Sequence, residues 1–183
     1  LMTTSLISQV VGFRFHRGIL AVGAPPPPSS LADLLQASLK REDPVLIAAC
    51  PEIRDPQNLG SIIRSAAALG AGCLLVGAAG TAPYTRRVLR TSMGAILHLP
   101  LVTCEDWSKT VSTLHAHGFE TVATVLDRQA LPLEQVVRTR RTAVFFGNED
   151  RGLPAELTAN CRVRVRIPMA DQDLSLNVGV AAG

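Results

Sequence analysis

The feature that most constrains this chain is a repeated alternation. Short continuous apolar runs are followed by segments with helical spacing. PVLIAAC (44–50) and GCLLVG (72–77) are apolar throughout, as strands buried on both faces must be. After the first run comes DPQNLGSIIRSAAALG, where Leu59, Ile62, Ile63, Ala66 and Leu69 recur at helical spacing and Gly70 fits a C-terminal stop. The pattern continues. YTRRVLRTSMGA (84–95) reads as a helix, ILHLPLV as a strand, DWSKTVSTLHAHG as a helix and FETVATVLD (119–127) as a strand. LEQVV then reads as a short helix, and RTAVFFG (141–147) and RVRVRIP (162–168) as strands. LSLNVGVAAG opens a final helix. Ser29 or Ser30 caps an earlier helix, SLADLLQASLK. This alternation predicts an α/β fold, a parallel sheet of about five or six strands with helices on both faces.

At 183 residues and 47% hydrophobic, the chain can bury one core. No apolar run reaches the roughly 18 residues of a membrane span, and residues 1–11 lack a secretory signal. The net charge of +3 is compatible with nucleic acid without demanding it, and 4% aromatic residues argue against broad base stacking. Cys50, Cys73, Cys104 and Cys161 are scattered without a CxxC, so no metal site is expected and free thiols in a reducing compartment are. Four consecutive prolines in AVGAPPPPSS make a stiff connector. The chain starts and stops abruptly, and we read residues 1–24 as the end of one unit with the linker into the next. Residues 25–183 form the main domain, with its last helix cut short.

Ligands of such sheets bind at the carboxyl ends of strands. Three polar clusters fall there: RDPQNLG, GNEDRG and DQDLSLN. Each also has an ordinary reading. Asp55-Pro56 starts a turn and Asn58 can cap a helix. Arg64 is a solvated residue or points into a site. GNEDRGLP has the two glycines of a P-loop, but Leu153 and Pro154 replace its Lys and Ser/Thr, and Glu149 and Asp150 would repel phosphate. The same stretch fits a strand-to-helix turn with Pro154 at the first helical position. Ser175 and Asn177 are ordinary helix caps. A dinucleotide fingerprint is absent, since GAGCLLVG precedes a strand. Arg162, Arg164 and Arg166 give one strand a basic face, read as solvation or edge protection. Arg86, Arg87 and Arg90 are a phosphate patch or a solvated face. His115 and His117 read as surface residues, and no Ser/His/Asp set has supporting context.

Taken in order, DPQNLGSIIRSAAALG, VFFGNEDRGLP and IPMADQDLSLNVGVAAG resemble the three signature motifs of the SpoU (TrmH-like) family. HRGILAV (16–22) is similar to that family's junction between an RNA-binding domain and the catalytic domain. The resemblance spans residues 44–183 and implies a SPOUT α/β domain with a C-terminal trefoil knot, acting as a homodimer on RNA. The implied activity is S-adenosyl-L-methionine-dependent methylation of a ribose 2′-hydroxyl. By analogy rRNA is preferred over tRNA; a non-catalytic knotted RNA-binding or assembly module is the alternative, and an α/β nucleotide enzyme of other chemistry a third. The resemblance implies that Thr124, Gly147, Asn148, Glu149, Gly152, Ile167, Pro168, Met169 and Leu176 line the donor. It implies catalytic roles for Asn58, Arg64, Glu149, Ser175 and Asn177, with no metal. Arg64, with Arg86, Arg87 and Arg90, would contact RNA. Arg64 is either a base or an oxyanion stabiliser, because a guanidinium is hard to deprotonate. Gly179 stands where Ser or Ala is commoner in the family. The expected location is the cytoplasm, with an organelle left open by the missing N-terminus.

Overall fold

The computed structural model describes residues 3–12, 21–40, 42–171 and 174–183. Residues 16–20 of the expected domain junction, and Gln172 and Asp173, lie outside them. A short helix α1 (Thr4–Val11) precedes the proline connector, and Ser30 caps α2 (Leu31–Leu39). Then follow β1 (Val45–Cys50), α3 (Pro56–Ala68), β2 (Cys73–Gly77), α4 (Arg86–Thr91), β3 (Leu101–Cys104) and α5 (Trp107–Ala116). The second half contains β4 (Glu120–Thr124), β5 (Leu131–Pro132), β6 (Arg141–Phe145), α6 (Ala155–Asn160), β7 (Val163–Arg166) and α7 (Val178–Ala181).

The strands form one sheet in the order β3-β2-β1-β6-β4-β7-β5, and all pairings are parallel. The strand count exceeds the expected five or six because β5 adds a two-residue edge. One face packs Leu35, Ile47, Leu75, Leu114, Phe119, Phe145 and Leu157 under α2, α5 and α6. The other packs Leu59, Ile62, Ile63, Leu74, Val76 and Phe146 under α3 and α4. Burial from both sides explains why β1 and β2 carry no polar alternation.

Several boundaries differ from expectation. ILHLPLV does not form one strand: Met93 and Gly94 take positive φ (53° and 82°), a 3-10 turn follows at Ala95–Leu97, and β3 begins only after Pro100. The same positive φ values stop α4 at Thr91, short of the predicted helix end. LEQVV is a 3-10 turn at Leu133–Gln135. Asn58 does not cap α3. Asp55 does, its carboxylate accepting from Gln57 N at 2.8 Å with Pro56 in the first turn. Asn58 is thereby placed inside the helix with its side chain free for other partners.

The chain returns after β7 to lay α7 on α3. Gly179 makes that approach close: a Cβ there would lie 2.9 Å from Ser61 Cβ and 3.0 Å from its hydroxyl. The glycine that departs from the family's commoner residue therefore fits the neighbour this chain has.

Candidate active site

The carboxyl ends of β1, β6, β4 and β7 are adjacent in the sheet, so the loops that follow them gather at one edge. Asn58 lies at their centre, 7% exposed. Its Nδ2 donates to Glu149 Oε1 at 2.7 Å, and its Oδ1 accepts from Asn177 Nδ2 at 2.9 Å. One buried amide thus joins residues 91 and 119 positions away in sequence. Asn177 also caps α7, its Oδ1 accepting from Gly179 N at 2.9 Å. Its ordinary reading as a cap and its functional reading hold together.

The loop after β6 is held by its own atoms. Asn148 and Gly152 exchange backbone hydrogen bonds of 3.0 and 2.9 Å. The Asn148 amide donates to Glu52 O at 2.9 Å and accepts from Asp150 N and Arg151 N at 2.9 and 3.2 Å. A Cβ on Gly147 would sit 2.5 Å from the Gly152 carbonyl carbon and 2.6 Å from Leu153 N. Gly147 and Asn148 therefore shape the loop through contacts within the protein. Glu149 is exposed, like Asp150 and Arg151, and is the loop residue tied to Asn58.

The segment after β7 presents an apolar, open surface. Ile167 and Met169 are half-buried, Pro168 is exposed, and Leu176 is 44% exposed. A narrow cavity runs between Val125 and Leu126 after β4 and Ile167 and Met169 after β7. Thr124, directly before Val125, donates its hydroxyl to Phe145 O at 2.8 Å. Uncovered apolar side chains of this kind suit a flat heteroaromatic group.

Not every expected residue joins the Asn58 bridge. Arg64 is exposed on α3, six residues or about 9 Å along the helix from Asn58, and makes no hydrogen bond or ion pair with described residues. Ser175 is exposed and hydrogen-bonds to none of them. Arg86, Arg87 and Arg90 are exposed on α4 and line a cleft of about 800 Å³ facing Val11 and Gly12 at the end of α1. Arg87 Nη2 donates to Gln57 Oε1 at 3.1 Å, which ties the basic helix to the residue beside Asn58. Gln57 escaped the sequence reading because an exposed Gln in a first helical turn carries no pattern.

The four cysteines are buried and unpaired with one another, as expected. Burial, reinforced by the Glu149 charge, pushes the Cys50 thiol far up. Burial pushes Cys73 up to about 12 and Cys161 to about 11. His115 and His117 are half-buried: His115 Nε2 meets Thr121 Oγ1 at 2.8 Å, and His117 Nδ1 meets Thr113 O at 2.8 Å. Among the described residues no helix is long and apolar enough to cross a membrane, and no three metal-ligating side chains cluster.

A parallel sheet whose strand-end loops are bridged by Asn58, Glu149 and Asn177 is the arrangement that the three sequence motifs require. Residues 45–183 match the SpoU rRNA methylase family, and the chain belongs to it. It is 33% identical over 178 residues to the 23S rRNA (guanosine-2′-O-)-methyltransferase RlmB of Acinetobacter baylyi, covering 97% of this chain and 71% of that protein. The SpoU methyltransferase AviRb of Streptomyces viridochromogenes, solved with AdoMet, superposes with a TM-score of 0.73 at 30% identity, over 85% of this chain and 61% of that one. An AdoMet-bound rRNA methyltransferase of Sinorhizobium meliloti gives 0.71 at 30% identity, over 77% of this chain and 54% of that one. The chain thus spans little more than half of some relatives.

Proposed function

We propose that this chain is the catalytic part of an enzyme that methylates a ribose 2′-hydroxyl of RNA, with ribosomal RNA as substrate. The observation that carries the reading is the Asn58 bridge. It ties the three family motifs into one polar centre beside an apolar wall. S-Adenosylmethionine, when bound, supplies a methyl group on a cationic sulfur. The residues present suit it. The loop from Gly147 to Gly152 offers a carboxylate and backbone groups, and Ile167, Pro168, Met169 and Leu176 offer apolar cover for the adenine. Thr124 stands behind them.

Transfer needs the 2′-oxygen in line behind the methyl carbon, so fixed geometry is the main requirement. Asn58 and Asn177 hold Glu149 and the start of α7 in register. Arg64 stabilises the developing charge on the 2′-oxygen or takes its proton. Arg86, Arg87 and Arg90 hold RNA phosphates, and the Gln57 contact sets Arg87 relative to the centre. Ser175 stands exposed two residues before Asn177, open to RNA. Residues 1–24 are the end of an RNA-binding unit and 25–183 the methyltransferase domain. Insertion of β6 between β1 and β4, followed by the return of 174–183 to α3, supports the trefoil knot. Exposed Leu69, at the C-cap of α3, and Val180, on α7, support a homodimer. The family's bacterial members support a cytoplasmic setting.

The test is transfer of labelled methyl by the full-length protein to rRNA and to tRNA, followed by digestion to nucleosides. Label in 2′-O-methylnucleosides of rRNA is expected, and Arg64→Ala should abolish it while donor binding persists. Donor binding without label in either RNA would favour the non-catalytic module.

A further inference from the structure

Three arginines alternate along β7, and the surroundings of the third differ. Arg162 lies 4.0 Å from Glu120, and Arg164 pairs with Asp127 at 3.1 Å. Arg166 has no acid. Its Nε is fully buried without a hydrogen-bond partner, the one such side-chain atom among the described residues. Asp127, the acid at the end of the neighbouring strand, is already engaged by Arg164. A half-buried guanidinium with a buried unmatched donor is costly to maintain without a ligand. Arg166 lines the narrow cavity between Val125, Leu126, Ile167 and Met169, with Arg128 at the same opening. It stands directly before Ile167-Pro168-Met169, the apolar wall assigned above to the donor.

S-Adenosylmethionine carries one anionic group, the α-carboxylate of its methionyl end. The residues otherwise assigned to it provide a carboxylate, backbone groups and apolar cover, and none of them is a cation. We infer that Arg166 is the counter-ion of that carboxylate and so fixes the amino-acid end of the donor. This rests on the reading of the site as a methyl-donor pocket. A planar guanidinium matches a carboxylate with two parallel hydrogen bonds, and such a charge-assisted pair is stronger than a neutral one. The protonated α-amino group would be repelled by Arg166 and turned outward. Arg166 would thus be a binding and orienting residue, setting how the methyl end is presented without touching the reacting atoms.

Calorimetry with two ligands tests this in the full-length protein. S-Adenosylhomocysteine keeps the carboxylate; 5′-methylthioadenosine lacks the whole amino-acid end. Arg166→Met is expected to weaken S-adenosylhomocysteine by at least about tenfold, leave methylthioadenosine within about twofold, and erase the difference between the two. Arg166→Lys should recover part of the loss, since a point charge replaces the fork. Should Arg166→Met fail to fold, Arg166→Gln removes the charge with a polar side chain and carries the same expectation. Equal weakening of both ligands would overturn the inference, placing Arg166 at the adenosine or in the fold. Unchanged binding of both would also overturn it and turn attention to RNA phosphate. Wild-type protein that binds neither ligand would overturn the donor-pocket reading itself.

Discussion

Two segments are tied to Asn58, and they are built oppositely. The loop from Gly147 to Leu153 meets its own needs. Its first residue packs against its sixth, and the Asn148 amide is consumed by backbone groups. The segment from Ile167 to Asn177 leaves Leu174 62% and Leu176 44% exposed, and Arg166 enters it with an unmatched donor. The first keeps its shape without a ligand. The second leaves apolar side chains uncovered. Asn58 joins them, bonding Glu149 on one side and Asn177 on the other. Pre-organisation and ligand hunger are thus divided between two loops, which separates a residue's effect on stability from its effect on binding.

Substitutions can break that division. The largest effect is expected at the junction. Asn58→Asp sets a second carboxylate against Glu149, where a 2.7 Å hydrogen bond now lies. Methyl transfer should fall by about 100-fold or more, equivalent to roughly 2.7 kcal/mol of barrier, in single-turnover assays. Retained turnover would mean that the bridge does not organise the site. Next is Gly147→Ala, whose new methyl collides with the Gly152 backbone. It should lower unfolding stability by about 1–3 kcal/mol, seen in the denaturant midpoint. An unchanged midpoint would remove the claim that this loop is self-supporting. Leu176→Ala tests the other side. Donor affinity should drop by about fivefold, close to 1 kcal/mol, with a melting temperature close to wild type. A large loss of melting temperature would assign Leu176 to packing instead.

The smallest effect lies at the far end of the sheet, where neither segment contributes. Burial lowers the pKa of His115, helped by the Arg162 charge and opposed by Glu120. The folded state then favours the neutral ring. Below the ordinary value of 6.5 the unfolded chain takes the proton more readily, so this contribution is full above 6.5 and lost as pH falls. His115→Gln should flatten the stability–pH curve slightly on the acid side, while donor affinity stays unchanged.

The fold was legible wherever burial acts on both faces of a strand. VLIAAC and CLLVG have no polar alternation because none is tolerated there. Boundaries were lost where backbone conformation overrode pattern, as at Met93 and Gly94, whose positive φ breaks what reads as one helix and one strand. The site was legible as three clusters and only partly as roles. Asp55 reads as a turn starter and Asn58 as a helix cap, and only the fold gives the cap to Asp55. Gly147 reads as room for a ligand, whereas its missing side chain makes room for Gly152. The alternating arginines of β7 read as one solvated face. Pairing with Glu120 and Asp127 accounts for two of them and singles out Arg166, a distinction that depends on which acids the fold brings near.

The position of β6 has a consequence for how the molecule comes into being. β6 lies between β1 and β4, yet it leaves the ribosome long after β1 to β3. Until residue 145 emerges, the half-sheet of β1, β2 and β3 carries a raw apolar border along β1, open to any strand that reaches it first. Closing that border requires contact between segments about a hundred residues apart, and such closures are slow. The nascent chain is therefore most adhesive midway through its synthesis, when Asn58 already exists and Glu149 does not.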